Sequence, residues 1–180
     1  MIDVVKIITD VARKTSDLYV ENNPKTAPIN FIADNFTIVG QELNKLNATA
    51  KGQKNKYPAI LLFTDSIGRR SAPLLKQWDA EVVLHILIVT DAVQGNSEAK
   101  LKKIYRPVLY PIYDAFKQAI KEHPLIYTRD VEPAEEVFDR FDLVAILGKN
   151  RLFPDKLDGI EIRNLRLRLI KEKCFLNNKN

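Results

Sequence analysis

The chain has 180 residues, a formal net charge of +5, and 46% hydrophobic against 28% charged residues. These are the proportions of a soluble globular protein, at a length that suits one domain with a substantial core. They exclude a helical membrane protein, because no apolar run nears the roughly 20 residues needed to cross a bilayer. The lone Cys174 excludes an intramolecular disulfide framework and points to a reducing compartment or indifference to redox.

Ile2 to about Tyr19 carries Val4, Val5, Ile8, Val11, Ala12 and Leu18 at helical spacing, an amphipathic first helix. Asp3 and Lys6 within that pattern are unlike a secretory signal. Asn22-Asn23-Pro24 ends the helix, and Pro28 to Ile32 reads as a short strand. Asn35 is placed to cap a second helix marked by Phe36, Val39, Leu43 and Leu46. Residues 47–56 read as an exposed loop. Tyr57-Pro58 leads into a buried strand, Ala59 to Phe63, and residues 65–76, with Gly68, Arg69, Arg70 and Pro73, read as a long exposed connection.

Gln77-Trp78 enters the run Val82, Val83, Leu84, Ile86, Leu87, Ile88 and Val89, which suits a strand buried on both faces. His85 interrupts the run and reads as a core histidine. After Thr90-Asp91 and the turn residues Gly95-Asn96, Ser97 followed by Glu98 is placed to cap a helix. Its apolar face is Leu101, Ile104, Tyr105, Val108, Ile112, Phe116 and Ile120, with Lys100, Lys103, Arg106, Lys117 and Lys121 mostly off it. Pro107 and Pro111 predict a break near Arg106–Tyr110, with Pro111 in the first turn of a new helix.

His123-Pro124 stops the helix, and Leu125 to Thr128 reads as a short strand. Glu132 to Phe141 reads as a turn or two of acidic helix. Leu143 to Leu147 is strand or buried helix, and Gly148 to Asp158 is loop. The closing segment alternates Ile160 and Ile162 with Glu161 and Arg163, then Leu165, Leu167 and Leu169 with Arg166 and Arg168. The apolar phase slips by one residue between Ile162 and Leu165. A β-bulge near Arg163-Asn164 would restore all five apolar side chains to one face; a strand that changes partners halfway is the alternative. Residues 171–180 read as a flexible tail. The expected fold is α+β, a single domain with a mixed or antiparallel sheet flanked by helices.

Two acid-ended strands, Thr64-Asp65 and Thr90-Asp91, would bring carboxylates together if parallel and adjacent. Glu98 could then complete a divalent-metal site of a metal-dependent hydrolase or nuclease. In an antiparallel pair the two acids lie at opposite ends, and acids ending strands are common turn formers. His85 and His123 sit in no motif, no phosphate-cradling loop or G-x-S-x-G elbow occurs, and a Cys174–His dyad has nothing local to support it. No cofactor is expected. Gly68-Arg69-Arg70 with Lys76, or Lys51, Lys54 and Lys56, could contact phosphate as a small nucleic-acid-binding module. Neither group interleaves aromatics, so specific nucleic-acid binding is not expected.

Charge runs in blocks. Ala99–Lys121 holds six basic residues and one acidic, Glu122–Gly159 nine acidic and five basic, and Ile160–Asn180 six basic and two acidic. Such blocks are solvated faces, or complementary patches that mate between copies.

The order of segments resembles the short phage and prophage proteins of the tail-terminator (tail-completion, head–tail joining) type. The matching pieces are Tyr57-Pro58-Ala59-Ile60-Leu61-Leu62-Phe63, the strand ending Ile88-Val89-Thr90, Tyr105-Arg106-Pro107-Val108-Leu109-Tyr110-Pro111-Ile112-Tyr113, and Asp158-Gly159-Ile160-Glu161-Ile162-Arg163-Asn164-Leu165. The resemblance implies a non-enzymatic α+β subunit that forms a homo-oligomeric ring, a hexamer, between tail tube and head connector. It also implies a place in the virion or the host cytoplasm. On this reading Lys100, Lys103, Arg106, Arg163, Arg166 and Arg168 are the candidate subunit or partner contacts.

Overall fold

In this computed structural model, residues 3–46, 48–49, 52, 56–71, 79–128, 134–143, 146–147, 150–151 and 155–170 are described. The expected tail at 171–180, Cys174, Lys51, Lys54, Lys76 and Trp78 lie outside them.

Strand β4 (Ala80–Asp91) is the centre of the sheet, as its apolar run requires. One edge of β4 pairs along its length with β8 (Leu157–Leu169), antiparallel. The other edge is shared. β2 (Ala59–Phe63) pairs antiparallel with its C-terminal half and β3 (Gly68–Ser71) with its N-terminal half. β1 (Asn30–Asp34) adds to β2 in parallel, and β5 (Glu136–Leu143) adds to β8 antiparallel. The result is a six-stranded mixed sheet of order β1-β2-β4-β8-β5, with β3 beside β4. A separate two-stranded piece joins β6 (Ile146–Leu147) and β7 (Asn150–Arg151).

Period-two alternation sends side chains to both faces of this sheet, and each face builds its own core. Ile60, Leu62, Val82, Leu84, Ile86 and Ile88 pack with α1 (Val4–Asn22) and with the long helical arm that follows β4. Leu61, Phe63, Leu87 and Val89 pack on the other side beneath Val39 and Leu43 of α2 (Phe36–Leu46). The helix starts follow local chemistry. Asp3 accepts from the Lys6 N–H at 3.0 Å, and Asn35 from the Ile38 N–H at 3.0 Å, each closing an otherwise orphan donor.

Several expectations are corrected. The helical arm is capped by Asn96, not Ser97: the Asn96 side chain accepts from the Ala99 N–H at 3.0 Å. The arm is not broken at its prolines. It runs as α3 (Ser97–Lys100), a π-helical stretch (Leu101–Leu109) and α4 (Tyr110–Glu122). In the π stretch hydrogen bonds reach five residues back, as from the Tyr110 N–H to the Tyr105 carbonyl. An α-helical interior would crowd the proline ring against the carbonyl four residues back. The wider turn accommodates Pro107, while Pro111 sits in the first turn of α4 as expected.

The acidic stretch expected as helix is instead strand β5, because the outer edge of β8 offers a full row of backbone partners. Within residues 65–76, Gly68–Ser71 is a strand although its four residues are exposed. Within residues 148–158, Asn150–Arg151 and Leu157–Asp158 are strand as well. Leu125–Thr128 makes an isolated bridge, Ile126 opposite Leu169.

The bulge falls where the phase slip placed it. Leu84 pairs with Leu165 but Ile86 with Ile162, so Arg163 and Asn164 together oppose His85. Asn164 takes the left-handed conformation, φ 53°, which asparagine tolerates better than most residues. Ile160, Ile162, Leu165, Leu167 and Leu169 all reach one core.

Candidate interaction surface

The same bulge shapes the opposite face of the sheet. It turns Arg163 toward Glu161, which precedes it on β8. Glu161 is buried and receives the Nε of Arg140 at 2.6 Å and of Arg163 at 2.7 Å, while its Oε1 lies 2.9 Å from the His85 Nε2. Burial alone would raise this carboxyl. The two guanidiniums and the imidazole outweigh it and hold Glu161 below the usual carboxylate range. His85 is fixed from the other side by the rings of Phe63 and Phe36, with centroids at 5.0 and 5.8 Å.

α2 packs on β1 and β2, and no other helix among the described residues lies on this face. Register sets its rows. Arg70, Glu81 and Arg168 align across β3, β4 and β8, and Gly68, Val83 and Arg166 form the next row. Toward β5, Phe138 stands opposite Glu161 and Glu136 opposite Arg163. The Phe138 ring is flanked by the guanidinium carbons of Arg140 at 4.8 Å and Arg163 at 5.4 Å, the geometry of cation–π contact. This is an open, net-cationic sheet face, with one exposed aromatic ring held among arginines.

The six residues expected to form contacts do not form one surface. Arg163 and Arg166 are exposed here, and Arg168 is partly exposed with its Nε 3.9 Å from Glu81. Lys103 and Arg106 are exposed on the helical arm, across the sheet. Lys100 is no surface residue at all. It is 2% exposed, and its ammonium lies 3.0 Å from Asp158 and 2.8 Å from Asp142. A lysine buries its charge only when paired, and its partners come from strands far along the chain.

At the β4 C-terminal end a second polar cluster forms. Lys56 is 2% exposed, which corrects its place in an exposed loop, and it ion-pairs with Asp155. The Tyr57 hydroxyl also donates to Asp155, at 3.2 Å, and burial pushes its pKa up. Burial and the Asp155 charge raise nearby Asp91 as well, against the opposing pull of Lys56. Asp65 is not part of it. Ala59 pairs with Val89, so β2 and β4 are antiparallel and Asp65 and Asp91 lie at opposite ends. Glu98 pairs with Lys102 at 2.8 Å. The carboxylate-triad metal site expected for parallel strands therefore does not assemble. Among the described residues no three His, Cys, Asp or Glu side chains gather as metal ligands would. His123 is tied to its own turn, its Nδ1 accepting from the Leu125 N–H at 3.2 Å, and burial lowers its pKa.

Sequence reasoning missed Glu161, Phe138 and Arg140. Glu161 was visible only as the polar partner in an alternation, and Phe138 and Arg140 were assigned to a helix. Fold and surface together define a class: a single α+β domain with a mixed sheet, helices on both faces, and one part of a face on which no described helix lies and which is cationic. No family model matches the chain, and no curated protein does. No helix among the described residues is long and apolar enough to cross a membrane.

Proposed function

We propose that the chain is a non-enzymatic structural subunit of a phage or prophage tail, of the tail-terminator or head–tail joining type, which assembles into a homo-oligomeric ring. A hexamer between tail tube and head connector, in the virion or in the host cytoplasm before assembly, is the form this reading takes. The observation that carries it is the open sheet face. Arg166 and Phe138 stand exposed there beside Arg163, which with Arg140 and His85 is held on the buried Glu161. A surface built this way offers cations and an aromatic anchor to a partner protein, the residue types that dominate protein interfaces. Its buried carboxylate is locked in place, which suits support of the arginines better than proton transfer.

Absolute mass by light scattering on a sizing column, across protein concentration and salt, tests the reading. A discrete ring, or a monomer growing into one with concentration, is expected. Reversing Arg166 and Arg168 to Glu is expected to weaken that assembly with the fold intact. A monomer under all conditions counts against the ring, and unchanged oligomer mass in the variant counts against this face.

A further inference from the structure

The two edges of the sheet carry opposite charge. β5 forms one edge, paired on one side with β8 and with no other strand among the described residues. Glu136, Asp139 and Asp142 on it are exposed, Glu135 precedes it, and Arg140 is its single cation. The hydrogen-bond donors to most of these acids are neutral groups. The Asn164 amide donates to Glu136 at 3.0 Å, the Tyr110 hydroxyl to Asp139 at 2.7 Å, and the Tyr113 hydroxyl to Glu135. Asp142 alone is matched by a cation, Lys100. The same strand holds all three exposed large apolar side chains of the described residues: Val137 at 41%, Phe138 at 37% and Phe141 at 36%. An edge strand that is both acidic and apolar is a surface awaiting cover.

The opposite edge is stepped. β1 flanks β2 and ends at Asp34 opposite Phe63. Beyond that point β3 continues beside β4 with its outer side unpaired by any described strand. All four β3 residues are exposed, and the middle two are Arg69 and Arg70. Neither arginine has a hydrogen-bond or ionic partner among the described residues.

We infer that β5 of one copy docks along β3 of the next copy of this chain. Glu136 and Asp139 would face Arg69 and Arg70, and the exposed apolar side chains of β5 would be covered. The inference deepens the ring reading and rests on it. Both halves of the complementarity lie on one chain, which is why a second copy is the occupant. Two different surfaces meet, so the contact is heterologous and repeats from copy to copy until it closes. Register adds a consequence. β5 lies level with the half of β8 from Leu157 to Arg163, and β3 lies level with the half ending at Leu169. Successive copies are therefore staggered along the strand direction, as closing a sheet into a barrel also requires.

Charge exchange between the edges tests the pairing on the full chain. Three variants are compared with the native protein by light scattering at low salt: Arg69→Glu/Arg70→Glu, Glu136→Lys/Asp139→Lys, and all four changes together. Far-UV circular dichroism and thermal melting check the fold of each. Either edge reversal alone is expected to weaken self-association about tenfold or more through like-charge contact. The four-fold variant, and an equimolar mixture of the two edge variants, is expected to recover assembly. The β3 reversal decides even if the β5 variant fails to fold, since Arg69 and Arg70 have no described partner to lose. If the native chain assembles and the β3 reversal leaves it unchanged, or the compensating change fails to restore it, the edge pairing is overturned while the ring stands on another surface. A native chain that stays monomeric at every concentration overturns both.

Discussion

Lys100 and Asp158 lie fifty-eight residues apart in the chain and 3.0 Å apart in space, with side-chain exposures of 2% and 0%. Asp158 also accepts the Asp142 N–H at 2.9 Å and the Val93 N–H at 3.3 Å, so one carboxylate ties β5, β8, the β4 exit and the helical arm together. Next to it the Tyr105 hydroxyl donates to the Arg140 carbonyl at 2.6 Å and accepts from the Gly159 N–H at 3.3 Å. Gly159 permits the close approach of β8 to β4 at this point, because a Cβ there would lie 2.8 Å from the Ile88 carbonyl oxygen.

Removing Asp158 leaves the buried Lys100 ammonium with the exposed Asp142 alone and takes the acceptor from the Asp142 and Val93 N–H groups. Asp158→Ala is expected to destabilise the protein by about 3 kcal/mol or more, read as the shift in a denaturant unfolding curve at constant slope. The pH dependence has a definite sign. Burial pulls the Lys100 ammonium down, but hydrogen bonds and charge from Asp142 and Asp158 outweigh it and leave its pKa raised. Its contribution is complete below the ordinary lysine value of about 10.4 and is lost as pH climbs through the higher folded value. In Asp158→Ala that alkaline loss should shrink; an identical alkaline profile would refute the pairing.

At the bulge, Asn164 holds φ 53° and donates to Glu136. Asn164→Val is expected to cost about 1–2 kcal/mol, because a β-branched residue is strained in the left-handed region. Asn164→Gly should lose only the hydrogen bond. Deleting Asn164 is a different experiment: it removes the extra residue, so Arg163 alone opposes His85 and Ile160, Ile162, Leu165, Leu167 and Leu169 keep one face by plain alternation. That deletion should keep a cooperative melting transition, and its loss would mean that the bulge itself is required and not only the alternation it restores.

Glu161 provides the acid-side counterpart. Its folded pKa is lowered, despite burial, by Arg163, Arg140 and His85. Its stabilisation is therefore full above the ordinary value of about 4.3 and is lost as pH falls through the lower folded value. Glu161→Gln is expected to lower the melting temperature at neutral pH and to flatten its decline below about pH 4.3. A melting temperature that falls by the same amount at pH 7 and well below pH 4 would argue against an ionised Glu161 as the centre of the cluster.

The spacing of apolar residues determined much of this protein unaided. Helix α1, helix α2 with its Asn35 cap, strands β2 and β4, and the bulge in β8 were legible because each depends on which side chains must share a face. A one-residue phase slip has few remedies, and the bulge at Arg163-Asn164 is one of them. Tertiary structure decided what depends on partners distant in the chain. Glu132 to Phe141 reads as acidic helix, yet Glu136–Leu143 is a strand because the edge of β8 was there to pair with it. The prolines of the arm imply a break only for an α-helix, and a π stretch removed the conflict. Lys100 looks like a surface cation by type. It is buried because Asp158 and Asp142 meet it from other strands, and no local pattern announces a charge whose compensation lies fifty-eight residues away. The orientation of β2 against β4, which separates Asp65 from Asp91, is likewise a property of the pairing rather than of either strand.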